Sequence, residues 1–245
     1  MRGMFETMGT VASIALPDDH PETVDGIRQI FTDAEQRFSL YRLDSELSLV
    51  NTGELSLTSA SAELRDAYAL AMNWHLRTAG AFTPNRPDGA IDLNGIVKAL
   101  CISHAGDLLL RAGHTDWSIG VGGDILCAGQ SPTGDWITGI VDPRDRQALL
   151  CSLPLGDGRR AIATSGSAER GDHIWTFDRE AAPEFTQVTV VAEDIIIADA
   201  LATAIMSGGR EMLDLATDTW AIDALAVLTD GSLLATPGVR SRIAA

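Results

Sequence analysis

The sequence predicts a single α+β domain, residues 1–245, in which packed helices and a mixed sheet form one compact unit. Two observations carry that prediction. In the first half, apolar residues recur at the three-and-four spacing of buried helix faces over long stretches. The second half instead breaks into short apolar runs separated by Gly, Pro and Asp. No internal period of roughly 20 to 50 residues and no Pro/Ser linker interrupts the chain, which argues against repeats or a flexible second domain. The order of elements fits α+β better than a strictly alternating βαβ wind.

Val11 to Leu16 alternates apolar and small residues as a strand does, and Pro17, Asp18 and Asp19 end it. A helix follows from Pro21, which suits its first position. Its buried face carries Val24, Ile27, Ile30, Phe31, Ala34 and Phe38. Residues 61–79 hold a second stripe of Leu64, Ala67, Tyr68, Ala71, Met72 and His75, with Gly80 placed as a left-handed cap. On that face His75 reads as a packed or partly exposed helix residue rather than a ligand. A third helix, Ile96 to Arg111, buries Ile96, Ala99, Leu100, Leu109 and Leu110 and stops at Gly113. Strands are expected at 118–121, 125–128, 136–141, 161–164 and 188–192, then helices at 197–206 and 211–216. Leu225 to Leu228 and Leu233 to Ala235 form a closing hairpin around Asp230-Gly231, the signature of a type I′ turn.

Composition narrows the function. The chain is 45% hydrophobic and carries a formal net charge of −16, so its average surface repels phosphate backbones and anionic lipid. Nucleic acid is excluded as an expected partner, and any anionic ligand needs a locally positive pocket. Cys101, Cys127 and Cys151 are odd in number and form no CxxC motif, which fits buried reduced thiols. No apolar run approaches the ~20 residues of a membrane span, and the first residues lack a signal-peptide core, so the expected location is cytoplasmic.

Four segments could carry chemistry. In IDLNGIVK, residues 91–98, a lysine enters the first turn of a helix and opposes its dipole. Lys98 and the helix end either face an anion together or leave a solvated surface lysine. In SIGVGGDILCAG, residues 118–129, Gly120, Gly122 and Gly123 allow close backbone approach, to a ligand or within a bulge or hairpin turn. This is not a dinucleotide fingerprint, because no GxGxxG spacing is present. In AIATSGSAER, residues 161–170, Ser165 lacks the glycines of a nucleophile elbow, so phosphate contacts from Thr164, Ser165 and nearby backbone N–H groups fit better than a serine hydrolase. In IIADALATAI, residues 196–205, Asp199 and Thr203 lie four apart on one helix face, either as hard oxygen ligands for Mg²⁺ or as an N-cap and a filler.

These segments, with MGT at 8–10, SLYRLDSELSLVN at 39–51, GAFTP at 80–84 and a His-Ile pair at 173–174, resemble in collinear order the FAD:protein FMN transferase family, the ApbE-type flavin transferases. The resemblance spans nearly the whole chain. It implies FAD as substrate, Mg²⁺ (or Mn²⁺) as cofactor, a threonine-bearing acceptor flavoprotein as partner, and AMP as product. It implies FAD contacts from Met8, Tyr41, Ala81, Phe82, Thr83, Asp92, Lys98, Thr164, Ser165 and Ile174. Metal ligation falls to the Gly95 carbonyl, Asp199 and Thr203, and catalysis to His173, Asp199 and Lys98, with His173 beside the pyrophosphate.

Several positions depart from the family pattern. Asn94 and Ala99 replace glycines, Val97 replaces a small residue, and Ser103 stands where an aspartate is usual. Thr83 replaces an aspartate, and Thr176 and Phe177 replace an acid and a proline, with Asp178 close by to compensate. The changes spare the expected metal ligands and fall on the nucleotide and acceptor surroundings. Hydrolysis of FAD to FMN and AMP, and binding of FAD without turnover, are the competing readings.

Overall fold

A computed structural model describes residues 2–18, 20–156, 158–166 and 183–243. Its centre is an eight-stranded sheet. In chain order the strands are β1 (Arg2–Thr7), β2 (Thr10–Ala15), β3 (Trp117–Val121), β4 (Asp124–Ala128), β7 (Ala161–Gly166), β8 (Phe185–Ala192), β9 (Asp223–Leu228) and β10 (Leu233–Ala235). They lie side by side in that same order, and each neighbouring pair is antiparallel. A separate ribbon pairs β5 (Trp136–Asp142) with β6 (Asp145–Leu155). The helices are α1 (Pro21–Phe38), α2 (Glu46–Asn51), α3 (Ala62–Arg77), α4 (Asn94–Arg111), α5 (Ile195–Thr219) and α6 (Pro237–Ile243).

Period-two alternation explains how the middle of the sheet is covered on both faces. Val188, Val190 and Ala192 of β8, with Ala224 and Ala226 of β9, join the main core, whose helical residues include Ile27 and Phe31 of α1, Leu64 of α3, Ile102 of α4 and Leu201 of α5. The intervening Val191 and Leu225 point the other way, into a smaller core with Ile140 and Leu153 of the ribbon and Val239 of α6. A strand buried on both sides loses the polar alternation of an edge strand, which is why residues 188–192 of β8 read as an apolar run broken only by Thr189. Gly106 lets α4 settle against the sheet, since a Cβ there would lie 2.9 Å from the fully buried ring of Trp117.

The α+β class is the one the sequence predicts, and several details differ. β1 and β6 were not among the expected strands, because Met4 and Leu149 lie exposed and blur the alternation. The α4 helix begins at Asn94, two residues before the expected start, so Lys98 is its fifth residue and sits in the second turn. Asn94 is helical there, and its substitution for glycine requires no left-handed backbone. The two expected late helices are joined in α5 at a kink where Gly209 has φ 64°. In the last hairpin Gly231 is left-handed while Asp230 is not, and Leu228 N–H bonds to the carbonyl of Ser232. That makes a three-residue loop closed by a glycine bulge, not a type I′ turn.

All three cysteines are free, with Cys101 and Cys127 buried as expected and Cys151 half-buried. Burial pushes the Cys101 and Cys127 thiols up to about 12. Among the described residues no helix is long and apolar enough to cross a membrane.

Candidate functional site

The register of the sheet gathers the motifs at one end. The β1–β2 turn at Met8-Gly9, the β3–β4 turn at Gly122-Gly123, the first residue of β4 and the last residues of β7 all lie there. Both inner residues of each turn have positive φ, 48° and 70° in the first and 55° and 92° in the second. The glycine run at 120–123 is therefore a two-residue hairpin turn with the mirror-image geometry that fits strand twist. Helix α4 runs antiparallel to the strand that follows it, so its N-terminal half reaches the same end with Asp92, Gly95 and Lys98.

Lys98 does face an anion, and the anion is internal. Its Nζ lies 2.5 Å from Oδ2 of Asp124, a side chain with 0% exposure. The other oxygen, Oδ1, accepts the backbone N–H of Thr164 at 3.0 Å. One carboxylate thus ties α4, β4 and β7 together. Burial, offset by the Lys98 ammonium and reinforced by the charge of Asp199, pushes the Asp124 carboxyl up to about 6. The sequence reading passed over Asp124. The available signal was an acidic residue directly after a Gly-Gly turn at the start of a strand, where Asp is disfavoured unless something holds it.

Asp199 is fully buried on α5. It is not the helix cap, a role taken by Asp194, whose side chain accepts the N–H groups of Ile196 and Ile197. One turn further along, Thr203 Oγ1 lies 3.1 Å from Oγ of the buried Ser165. Thr164 Oγ1 pairs with Thr189 Oγ1 at 2.9 Å. Lys98, Asp124, Thr164, Ser165, Asp199 and Thr203 are thereby brought into one connected group.

The remaining expected contacts make no bond to that group among the interactions of the described residues. Ala81 and Phe82 are buried, and Phe82 is held through its N–H to Thr78 Oγ1 and through its carbonyl to Nδ1 of His75, both at 3.0 Å. His75 is partly exposed, within what the helix pattern predicts. A Cβ on Gly208 of α5 would lie 3.1 Å from Ala81 Cβ, which puts this segment against the middle of α5, beside its kink at Gly209. Thr83 Oγ1 accepts the N–H of Asn85 at 3.2 Å, a turn an aspartate forms equally well, so the departure there preserves the backbone. Asp92 Oδ1 accepts the N–H of Asn94 at 2.9 Å and caps α4 from outside. Tyr41 is 83% exposed in the α1–α2 loop. His173 and Ile174, with Thr176, Phe177 and Asp178, lie outside the described residues.

The SLYRLDSELSLVN segment proves to be a brace. Ser45 caps α2 through Ser48 N–H at 3.0 Å and donates to the Ser39 carbonyl at 2.6 Å. Glu46 holds the N–H and hydroxyl of Ser61, the cap of α3. Asn51 makes a two-way bond to the backbone of Ile91, donating at 2.9 Å and accepting at 2.8 Å, which fixes the residue before Asp92.

The donor set suits a hard cation. Asp199 offers a carboxylate, Thr203 and Ser165 offer hydroxyls, and Gly95 is the second residue of α4, whose carbonyl retains a lone pair beyond the helix ladder. Among the described residues no group of three His, Cys, Asp or Glu gathers as a metal cage. Among the described residues, two buried carboxylates against one ammonium make the group net negative, the complement of a partly hydrated divalent cation bridged to phosphate.

The fold recurs in known proteins. The fold matches flavin transferase ApbE from Vibrio cholerae with TM-score 0.81 at 22% identity, covering 99% of this chain and 98% of that one. It matches the ApbE protein of Thermotoga maritima with TM-score 0.81 at 20% identity, over 99% of both chains. It matches the apo form of Pseudomonas stutzeri flavinyl transferase ApbE with TM-score 0.80 at 20% identity, over 100% and 97%. A FAD:protein FMN transferase of Rhodobacter capsulatus is 28% identical over 172 residues, 66% of this chain and 32% of its own length. The chain therefore spans about a third of that curated relative. The ApbE family profile matches residues 8–86 and 83–226, and on that match this chain belongs to the ApbE family.

Proposed function

We propose that this chain is a Mg²⁺-dependent flavin transferase that moves the FMN half of FAD onto a threonine hydroxyl of an acceptor protein and releases AMP. The observation that carries the reading is the charge arrangement of Lys98, Asp124 and Asp199 beside the paired hydroxyls of Ser165 and Thr203. A site that is net negative and yet sits at a helix N-terminus favours an anion that arrives together with a cation, as a pyrophosphate does. The name of the Rhodobacter capsulatus relative supplies the substrate class.

Asp199, Thr203 and the Gly95 carbonyl would hold Mg²⁺, or Mn²⁺ with the same preference for oxygen. When bound, the cation supplies Lewis-acid polarisation of the pyrophosphate. Lys98 grips the phosphate oxygens, with Asp124 fixing where its ammonium stands. Met8, Tyr41, Ala81, Phe82, Thr83, Asp92, Thr164, Ser165 and Ile174 contact the dinucleotide. The acceptor Oγ forms a bond to the FMN phosphorus, the bond from that phosphorus to the bridging oxygen breaks, and AMP leaves with that oxygen. His173 or a nearby carboxylate takes the hydroxyl proton.

The test incubates the purified chain with FAD and Mg²⁺, with and without a threonine-bearing acceptor peptide, and resolves AMP, FMN and peptide mass. Peptide-dependent AMP with an FMN mass addition supports the transferase. Free FMN with AMP makes water the acceptor and the chain a FAD pyrophosphatase. FAD bound but intact makes it a noncatalytic flavin binder, and absence of FAD binding overturns the reading.

A further inference from the structure

Met8 is one of two non-glycine residues with positive φ among the described residues, at 48° in a two-residue turn whose second member, Gly9, has φ 70°. That turn type favours Asn, Asp or Gly at its first position, and an unbranched apolar side chain there sits in a sparsely populated backbone region. Such a conformation persists only where its surroundings hold it. The holder is Glu35 of α1. One carboxylate oxygen, Oε1, accepts both the backbone N–H of Met8 and the hydroxyl of Thr7, the latter at 3.0 Å. Burial, with a smaller contribution from the same carboxylate, raises the thiol of Cys101, which places Glu35 near α4, the helix that carries Lys98. Glu35 thus stands between the strained turn and the helix of the pyrophosphate grip.

We infer that Glu35 is a positioning residue for flavin binding: it acts through the backbone of Met8, fixing the turn that presents the Met8 side chain to FAD. The inference rests on the functional reading above, in which Met8 touches FAD. What it requires of residue 35 is reach and an acceptor oxygen, rather than charge. Glu35→Ala removes both, Glu35→Asp keeps the charge but falls one methylene short, and Glu35→Gln keeps the reach and one acceptor.

The experiment measures FAD affinity by calorimetry at fixed Mg²⁺ for the wild type and these three variants, with thermal unfolding recorded alongside. Glu35→Ala and Glu35→Asp are expected to weaken FAD roughly tenfold, the loss expected when the hydrogen bonds that hold the turn are removed. Glu35→Gln is expected to stay within about twofold of wild type, as one strong acceptor remains. If Glu35→Ala fails to fold, Glu35→Asp against Glu35→Gln carries the same comparison. Wild-type affinity in Glu35→Ala or Glu35→Asp overturns the positioning role while leaving the functional reading intact. Equal weakening in Glu35→Gln and Glu35→Ala assigns the effect to charge and also overturns it. A wild type that does not bind FAD overturns the functional reading and this inference with it.

Discussion

The ammonium of Lys98 lies 2.5 Å from the carboxylate of Asp124, a side chain with no exposure to solvent, so its charge is balanced within the protein before any ligand arrives. The pairing gives Lys98 two roles that pull on different measurements. It stabilises a buried carboxylate, and in the proposed reaction it also grips a pyrophosphate.

Lys98→Ala is therefore expected to lower both stability and FAD affinity. Removing one partner leaves Asp124 buried without a counter-charge, at a cost of about 3 kcal/mol in denaturant unfolding. Lys98→Met, which restores the apolar stem but not the charge, should recover little of that stability. Unchanged FAD affinity in a folded Lys98→Met protein would count against the pyrophosphate contact.

The buried carboxylate also sets a pH dependence. Burial places the folded pKa of Asp124 at about 6, above the value of 3.8 it has when unperturbed. The folded state therefore binds this proton more tightly than the unfolded state. Its contribution to stability is full below the unfolded pKa and is lost as pH rises through about 6. Asp124→Asn does not titrate. Relative to that variant, the wild type should lose about 2 to 3 kcal/mol as pH rises through this window. Urea unfolding at a series of pH values reads the difference, and a wild type that gains over the variant as pH rises would show the Lys98 attraction outweighing burial.

Much of this layout was legible in the sequence because it depends on local pattern. Pro21 and the apolar stripe through Phe31 and Ala34 mark α1, and the Asp199 and Thr203 spacing puts both on one face of α5. What was illegible depends on contacts between distant segments. Asp124 acquires its partners from residues 98 and 164, and Glu35 acquires its partner from a turn 27 residues earlier. Neither shows a periodic signal. The Asn51 bond to Ile91, across 40 residues, is of the same kind, since an asparagine closing a short helix looks like any other.

Asn51 can be tested by its locality. It satisfies both backbone groups of Ile91, so Asn51→Ala leaves a half-buried N–H and carbonyl without their partner, costing about 1 to 2 kcal/mol. Amide hydrogen exchange should accelerate by about tenfold or more over the segment leading to Asp92, with the β7–β8 amides unaffected, as expected for local opening. Exchange that rises uniformly would mean that the residue supports the whole fold instead of positioning this loop.

The assignment of Asp199 makes the sharpest separation of binding from stability. In the protein without metal, its charge raises the Asp124 carboxyl, so two buried carboxylates repel. Asp199→Asn removes one of those charges at nearly constant shape and is expected to leave the metal-free protein at least as stable as wild type. In the proposed site the same change deletes the one anionic ligand, so Mg²⁺ affinity should fall by at least about tenfold, and any rise in melting temperature that Mg²⁺ gives the wild type should vanish. The two effects have opposite signs in thermal unfolding with and without Mg²⁺. A variant that loses stability without metal and still responds to Mg²⁺ would make Asp199 a structural residue and move the cation elsewhere.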